Sequence, residues 1–552
     1  MASIVGDDEE RNTWFDRVIT PLNACSLETY VPVTIITNND PTAEEEVVVD
    51  DVSSSCGVGS TTTSTVGRRR RRNENNEVVV PLVIGCYQLN EQSSDISAAT
   101  SATPTDDDNV KASSSSRSGE LRLYMISPST SSTTSISSSS LPDDDGSQQQ
   151  LQAKNDNTIK FGNASCVVQM ESGVLDGKWQ RRMRSRDNIT TTQSTTGNIY
   201  GGDGSSCYYE SSSPLFASAC ASGKIHLHSL EKNKSNNNNV EQQQEESTTS
   251  WTLSHVTSSN QPDGEPICLS LAWNDFMNDD DTNTSTREDQ IVSSYSNGTV
   301  ALHNVVYSTN CTSSSSNDCN NDSNKNNLIN MEETHRWNAH NMFGCPSEVW
   351  TCSFLKGNTN VVLSGADDGT LKSWDVRNTQ RHIYKIGGDN AEFESGVTSI
   401  SSHPTLDHVF AVGSYDEYVR IYDYRRMDNK EPMAKVHVGG GVWRIKWHPS
   451  CWEDDDDDAT TTRTYDRRNN GGKILVAAMH GGCRIVNIPG LGSNAPDDNN
   501  NAVEILSQFT EHESMAYGAD WISFGKCQEA VAASCSFYDR QAFLWGPSDS
   551  YQ

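Results

Sequence analysis

One short phrase recurs along this chain, and it restricts the folds that are open to it. In its clearest copy, residues 361–375, an apolar run leads into a tight turn at Asp368-Gly369, and an alternating strand then closes on Trp-Asp. The phrase returns at residues 409–423 and 531–545. Two strands with a side-chain period of two around a polar turn are typical of a β-hairpin. The repeat therefore predicts a series of similar hairpins.

Another short strand precedes each hairpin and brings the unit to about 40 residues. These strands lie at 174–179, 268–273, 349–354, 397–403, 442–447 and 516–521, and weaker hairpin copies lie at 215–228, 291–304 and 474–487. Residues 78–89 with 119–126 supply a further, degenerate unit. Units of this length and pattern are typical of WD-repeat propellers. We predict an all-β fold, a seven-bladed WD-repeat β-propeller, with six blades as the alternative count.

A closed ring of blades needs a strand that joins its two ends, so that no sheet edge stays exposed. The length of the chain exceeds what the blades need, and the composition indicates why. We expect the first strand, near residues 24–36, to pair with the last blade and close the ring. Only 34% of the 552 residues are hydrophobic, and tracts such as 137–140 and 454–458 cannot bury enough apolar area to offset chain entropy. We therefore predict one propeller at residues 20–546 with long disordered insertions. The insertions are expected at about 38–77, 91–117, 127–165, 231–250, 275–289, 308–332 and 453–471.

Charge and hydropathy restrict the partners. A formal net charge of −32 repels phosphate backbones, so we expect no nucleic-acid partner. The basic run Arg68–Arg72 is the exception, and it is read as a solvated loop, an import tag or an electrostatic contact. No apolar stretch reaches the roughly 18 residues that a membrane span needs, and the cysteines are interpreted as reduced thiols. A cytoplasmic monomer without a membrane partner is expected.

Three segments go beyond a generic WD repeat. They are residues 439–449, 477–482 and 512–521, and the turns at 413–417 and 536–539 accompany them. Together they resemble the WD-repeat family of diphthine methyl ester hydrolases, most densely between residues 348 and 545. The resemblance implies that the chain removes the methyl ester from methylated diphthine, a modified histidine of translation elongation factor 2, before amidation to diphthamide. That factor would be the partner. A non-catalytic WD scaffold or adaptor is the alternative, because fold alone does not decide function.

Repeat register separates structural residues from candidate site residues. The turn aspartates Asp368, Asp416 and Asp539 occupy the position that usually supports a blade through a histidine, so they are assigned to structure. The residue before each turn aspartate and the second residue of each inner strand are expected to face partners at one rim of the ring. In the last four blades these positions hold Asp367, Tyr415, His480, Tyr538, Trp350, Thr398, Trp443 and Tyr517.

The substrate implied by the resemblance carries a trimethylammonium group, and aromatic faces bind such cations. We predict substrate binding by Trp350, Glu348, Tyr415, Trp443, Tyr517 and Tyr538. A general peptide-binding surface is the alternative reading of the same aromatic side chains.

Ester hydrolysis needs a base, a nucleophile and donors for the oxyanion. His480, Arg444 and Asp367 are the catalytic candidates: His480 as general base, Arg444 as a clamp for a carboxylate or oxyanion, and Asp367 as a charge that favours the cation. No Gly-x-Ser-x-Gly, His-Glu-x-x-His or Cys-x-x-Cys motif occurs, so neither a metal nor a cofactor is predicted. The nucleophile stays open among Ser414, Ser514, Cys535 and a water activated by His480, and we prefer the water.

Overall fold

In the computed structural model, almost all described residues lie in β-strands or in the turns between them. The structure describes residues 13–20, 22–29, 35–36, 78–89, 117–127, 159–181, 213–233, 250–261, 266–276, 287–309, 327–388, 392–449, 472–491, 503–524 and 530–547. The predicted insertions and Arg68–Arg72 lie mostly or wholly outside these ranges. At two predicted insertions the strands extend further than expected, since strands begin at Arg287 and at Asn327.

Seven antiparallel sheets form the architecture, and each is one blade. The first strand, β1 (Thr13–Ile19), belongs to the last blade. Blade 1 contains β2 (Asn23–Thr29), β3 (Ile35–Ile36), β4 (Val78–Leu89), β5 (Arg117–Ile126) and β6 (Cys166–Met170). Blade 2 contains β7 (Val174–Trp179), β8 (Leu215–Cys220), β9 (Ile225–Asn233) and β10 (Ser250–Ser258). Blade 3 contains β11 (Cys268–Trp273), β12 (Arg287–Tyr295), β13 (Thr299–Thr309) and β14 (Asn327–Asn338).

The later blades are more compact in sequence. A small hairpin, β15 (Asn341–Met342) and β16 (Cys345–Pro346), precedes blade 4. Blade 4 contains β17 (Thr351–Leu355), β18 (Asn358–Gly365), β19 (Thr370–Asp375) and β20 (Tyr384–Gly387). Blade 5 contains β21 (Val397–Ser402), β22 (Val409–Ser414), β23 (Tyr418–Asp423) and β24 (Ala434–His437), with a 3-10 helix at Tyr424–Asn429. Blade 6 contains β25 (Arg444–Trp447), β26 (Lys473–Ala477), β27 (Cys483–Asn487) and β28 (Glu504–Phe509). Blade 7 contains β29 (Ala516–Ile522), β30 (Val531–Ser536) and β31 (Gln541–Pro547), followed by β1.

The first strand of each blade faces the axis of a closed ring. Each of these inner strands contacts the inner strand of the next blade, and β29 contacts β2, so the sequence of contacts returns to its start. Apolar side chains of neighbouring blades pack between the sheets, as Val442 of blade 6 does against Gly413 of blade 5. The seven-bladed prediction is confirmed, and the degenerate unit at 78–89 and 119–126 is blade 1.

The prediction for ring closure is wrong in its choice of strand. Residues 23–29 form β2, whose side chains are buried as an inner strand and pair with β4 inside blade 1. The closing strand is β1, which pairs antiparallel with β31 from Thr13 opposite Pro547 to Ile19 opposite Gln541. The fold thus starts before the predicted boundary at residue 20. β1 (TWFDRVI) carries more large apolar residues than β2 (NACSLET), so apolar content alone does not distinguish the closing outer strand from an inner strand.

The structural aspartates behave as predicted in two of three blades. Asp368 accepts a hydrogen bond from His340 at 3.0 Å, and Ser364 joins that imidazole to the blade tryptophan, Trp374. Blade 7 repeats the arrangement with His512, Ser534, Trp545 and Asp539. Blade 5 differs, because Asp416 pairs with Arg420 at 2.8 Å instead of a histidine. The role of Asp416 remains structural, but its partner is a buried guanidinium on the same hairpin.

Within the described part of the chain, no helix is long and apolar enough to cross a membrane. The described cysteines are free thiols, and most of them are buried in strands.

Candidate functional site

Strand direction places the candidate residues at one end of the ring. Each inner strand starts at this end, and antiparallel pairing returns the chain there at the turn between the second and third strands. The connections from one blade to the next therefore share a face with those turns. We call this end of the ring the upper face.

A continuous band of aromatic rings occupies the upper face from blade 4 to blade 1. Trp443 lies at its centre, with ring centroids 5.6 Å from Trp350, 6.1 Å from Tyr415 and 5.2 Å from Tyr517. Tyr517 is 6.4 Å from Tyr538, which completes the predicted set. Two further rings extend the band: Phe537 packs 4.9 Å from Tyr538, and Tyr87 of blade 1 lies 5.9 Å from Phe537. These seven residues are named the aromatic surface.

Some rings of the aromatic surface meet at nearly right angles, and the rings stay partly open to solvent. Trp350 and Tyr415 are inclined at 86°, and Trp443 and Tyr517 at 87°. Four of the five predicted rings are half-buried, and Tyr538 is 58% exposed. Perpendicular walls with accessible faces suit a cation, because the negative charge of an aromatic quadrupole lies on the ring face.

Two carboxyl groups stand at the blade 4 end of the aromatic surface. The indole nitrogen of Trp350 donates a hydrogen bond to Asp367 at 3.4 Å, and the backbone of Asp367 is bonded to that of Glu348. Burial and the charge of Asp367 raise the pKa of Glu348. Burial and the same aspartate raise the pKa of the Tyr415 hydroxyl. This end of the surface therefore carries negative charge that a bound cation would neutralise.

His480 lies at the outer side of the same face, between blades 5 and 6. Its imidazole is 63% exposed, and its Nε2 lies 3.5 Å from Oε1 of Glu417. The other oxygen of Glu417 is 2.8 Å from His437. One carboxylate thus lies close to two exposed imidazoles, one from blade 5 and one from blade 6.

Arg444 follows Trp443 in sequence and points into the central channel. Its guanidinium is 5.8 Å from the Trp443 ring and donates to Asp176 of blade 2 at 3.0 Å. Lys178 lies 2.7 Å from both Asp176 and Glu28, so the pair belongs to a larger ionic network. Burial alone would raise the pKa of Asp176, but the charges of Arg444 and Lys178 outweigh it and hold that pKa below its ordinary value.

The network continues around the channel and lines a cavity below the aromatic surface. Lys446 of blade 6 pairs with Glu28 of blade 1 and lies 3.4 Å from Asp520 of blade 7. Burial would raise the pKa of Glu28, but the two lysines lower it strongly. The cavity encloses about 130 Å³ and is lined by Asp176, Lys178, Arg181, Arg444 and Lys446 among others.

The structure brings together the predicted binding residues but gives the three catalytic candidates separate partners. His480 pairs with Glu417, Arg444 with Asp176, and Asp367 with Trp350. Among the described residues, no ring contact joins His480 to the aromatic surface. Thr398, which repeat register placed at the rim, is buried and donates its hydroxyl to a backbone carbonyl of Val442.

Four contributors escaped the sequence reasoning. Phe537 and Glu417 lie within the turns at 536–539 and 413–417, one position before Tyr538 and two positions after Tyr415, so considering every residue of each turn would have found them. Tyr87 ends the second strand of the degenerate blade 1, where the repeat register was weakest. Asp176 gives no local signal, because its partner Arg444 is 268 positions away in sequence.

The described residues contain no cluster of three or more histidine, cysteine, aspartate or glutamate side chains arranged to hold a metal ion.

Sequence comparison relates this chain to known WD-repeat proteins. The WD domain, G-beta repeat family matches residues 332–375 and 384–423, and each match contains residues of one blade's outer strand and the first three strands of the next blade, blade 4 or blade 5. A protein of Dictyostelium discoideum named diphthine methyltransferase homolog is 30% identical over 51% of this chain and 63% of its own length. Proteins named diphthine methyltransferase are 33% identical in Homo sapiens, over 35% of this chain and 34% of theirs, and 30% identical in Schizosaccharomyces pombe, over 38% and 53%.

The chain contains WD repeats and is similar to these proteins named diphthine methyltransferase. The resemblance predicted from residues 413–417, 439–449, 477–482, 512–521 and 536–539 is thereby confirmed. The matched region spans less than two thirds of the length of each of these family members. The aromatic surface, on the upper face of blades 4 to 7 and blade 1, is the candidate site of this chain.

We predict that Asp176→Asn destabilises this WD-repeat protein by about 3 kcal/mol at neutral pH, because it leaves the buried charge of Arg444 without its partner, while Lys178 keeps only Glu28. The pKa of Asp176 is lower in the folded chain, so its contribution is present above the unfolded value of about 3.9 and is lost as the pH falls through the folded value. The difference between wild type and variant should therefore shrink at acid pH.

Urea unfolding at a series of pH values measures this difference. Asp375→Asn is the control, because Asp375 forms an ion pair with Arg377 on the surface of blade 4. A difference that is absent, or that stays constant from neutral to acid pH, would contradict the role given to Asp176.

Proposed function

We propose that this chain acts in diphthamide biosynthesis and hydrolyses the methyl ester of methylated diphthine on translation elongation factor 2. The observation that carries the proposal is the aromatic surface with Asp367 and Glu348 at its edge. A trimethylammonium group is bulky, permanently charged and a poor hydrogen-bond donor. Aromatic faces with nearby carboxylates recognise such a group better than an ion pair alone.

The family relatives support the substrate class. Their names refer to diphthine, and the segments in which this chain resembles the ester hydrolases include Trp443, Tyr517 and Tyr538. The three residues are in one band, with Trp443 and Tyr538 each next to Tyr517. In this proposal the cation lies against the aromatic surface, and the ester attached to the same side chain extends from it.

The chemistry proposed is addition of water to the ester carbonyl. His480 takes a proton from the water, and the carboxylate of Glu417 stabilises the resulting imidazolium. The bond from carbon to the methoxy oxygen then breaks, and the methoxy group leaves with that proton as methanol. The products are methanol and a carboxylic acid. The acid releases the second proton of the water to solvent and becomes a carboxylate. Arg444 supplies the positive charge that favours the oxyanion and the product carboxylate.

Incubating the purified chain with elongation factor 2 that carries the methyl ester tests the proposal. We expect loss of one methyl group by mass spectrometry and release of an equal amount of methanol. Heat-unfolded chain serves as the control. Binding of the factor without loss of the methyl group would favour the scaffold alternative, because a WD propeller often binds partners without chemistry.

Trp443→Ala should raise KM for the methylated factor roughly 2- to 30-fold, which corresponds to one cation–π contact of about 0.5–2 kcal/mol. Trp443→Phe keeps an aromatic face and should restore much of the affinity. Trp251→Ala, in the outer strand of blade 2, controls for loss of a half-buried tryptophan elsewhere. Steady-state methanol release measures all three. An unchanged KM for Trp443→Ala would count against the cation-binding role.

His480→Ala should lower kcat at least about a hundredfold while leaving KM within a few-fold, because general-base catalysis typically contributes that much. The matched control is His437→Ala, since both imidazoles are exposed and contact the same carboxylate, Glu417. Equal losses in the two variants would assign the effect to the surface around Glu417 and remove His480 as the base.

A further inference from the structure

An apolar hairpin projects from the upper face just before blade 4. Strands β15 and β16 pair through Met342 and Cys345, and Phe343 with Gly344 forms the two-residue loop between them. All residues from Asn341 to Pro346 are exposed, and the Phe343 side chain is 98% exposed. Almost the entire ring therefore lies in water, where it contributes nothing to the packing of the fold.

The backbone of this loop is unfavourable for the residue it carries. Phe343 has φ of 51° and Gly344 has φ of 83°, which is the pattern of a tight hairpin turn with both central residues left-handed. Such turns prefer Asn-Gly, because asparagine tolerates the left-handed region and a bulky side chain does not. Phe343 thus costs the hairpin conformational energy and returns none through burial. Its position is not explained by folding.

The base of the hairpin is held firmly. The backbone of His340 is bonded to Gly298 of blade 3, and Ser347 is bonded back to His340. The imidazole of His340 is buried against Ser364 and Asp368, inside the structural support of blade 4. A rigid mount reduces the entropy that the tip loses when it is bound, which favours an anchor over a loosely tethered loop.

We propose that the Phe343 hairpin is a docking anchor for the protein substrate. The side chain of Phe343 enters an apolar pocket of the substrate, and positively charged residues of the substrate surround that pocket. This inference rests on the proposed function and adds a recognition element outside the cation site. The hairpin leads directly to Glu348 and Trp350, so a protein bound at the aromatic surface lies next to it.

The charge of the upper face indicates that the partner is positively charged. The loops around the aromatic surface expose mainly carboxylates, with Arg540 as an exposed cation among them. The exposed carboxylates are Glu348, Asp367, Glu394, Glu511 and Glu513. A basic protein segment complements this surface, whereas an anionic membrane would be repelled by it. A single exposed phenylalanine among carboxylates therefore fits a pocket on a basic protein.

The substitution Phe343→Asn tests the anchor without harming the fold. Asparagine suits the left-handed position, so the variant should unfold at the same or a slightly higher temperature than wild type. With whole methylated elongation factor 2 we expect KM to rise roughly tenfold at unchanged kcat, since a buried aromatic anchor is a typical hot spot. With a short synthetic peptide that carries the same modified histidine, KM should stay unchanged.

Ile383→Asn is the matched control. Ile383 is 45% exposed and lies between β19 and β20, at the opposite end of the ring. It should leave both KM values unchanged. Raising the salt concentration should weaken binding of the whole factor to wild type, because exposed charges are screened.

The two proposals fail in different ways. If wild type releases no methanol, the proposed function is wrong, and the hairpin is then judged by calorimetric Kd values for the whole factor. A Kd that is at least several-fold weaker for Phe343→Asn supports the anchor in that case too. Equal Kd or KM values for wild type and Phe343→Asn, or no binding by either chain, overturn it.

Discussion

The pairing of β1 with β31 is the constraint on which the rest of the architecture depends. It joins residues 13–19 to residues 541–547 in one sheet, so blade 7 has its fourth strand only when these two distant segments meet. Bringing distant segments together costs chain entropy, although that cost grows only slowly with length. The seam is strengthened from inside, where Thr29 of blade 1 donates its amide to Asp520 and its hydroxyl to the backbone of Trp521 in blade 7. The aromatic surface crosses the same seam through Tyr87 and Phe537.

The ionic network in the channel serves the same closure. Glu28, Lys178, Lys446 and Asp520 come from blades 1, 2, 6 and 7, and they meet around the axis. Buried charges of this kind stabilise only when each has its partner. The network therefore favours the ring in which all four inner strands are in register. It also holds Arg444 under the aromatic surface by a contact that comes from the far side of the channel.

The sequence predicted best what depends on local register. Trp350, Trp443 and Tyr517 occupy corresponding places in blades 4, 6 and 7, so one strand pattern placed them all on one face. The sequence predicted less well the contacts between residues that lie far apart along the chain. The choice of closing strand failed because apolar content does not distinguish β1 from β2, and because β1 pairs with residues 541–547, which are distant in sequence. Asp176 and Arg444 meet only because the ring brings blades 2 and 6 to a common axis. The hairpin at Phe343 lacks the Asn-Gly signal on which turn prediction relies, so its strained loop appears only in three dimensions.

The ion pairs that span the channel also determine how molecules would pass through the ring. Asp176 with Arg444, and Glu28 with Lys446, cross the axis below the aromatic surface. Opening a path between them would separate buried charges, which is far more costly than leaving by the way already open. In the proposed reaction, the water that enters and the methanol that is formed would therefore pass through the upper face, which the bound protein also occupies. The channel is thus closed below the aromatic surface by charged side chains. In the proposed reaction, each turnover would end only when the substrate dissociates from the upper face.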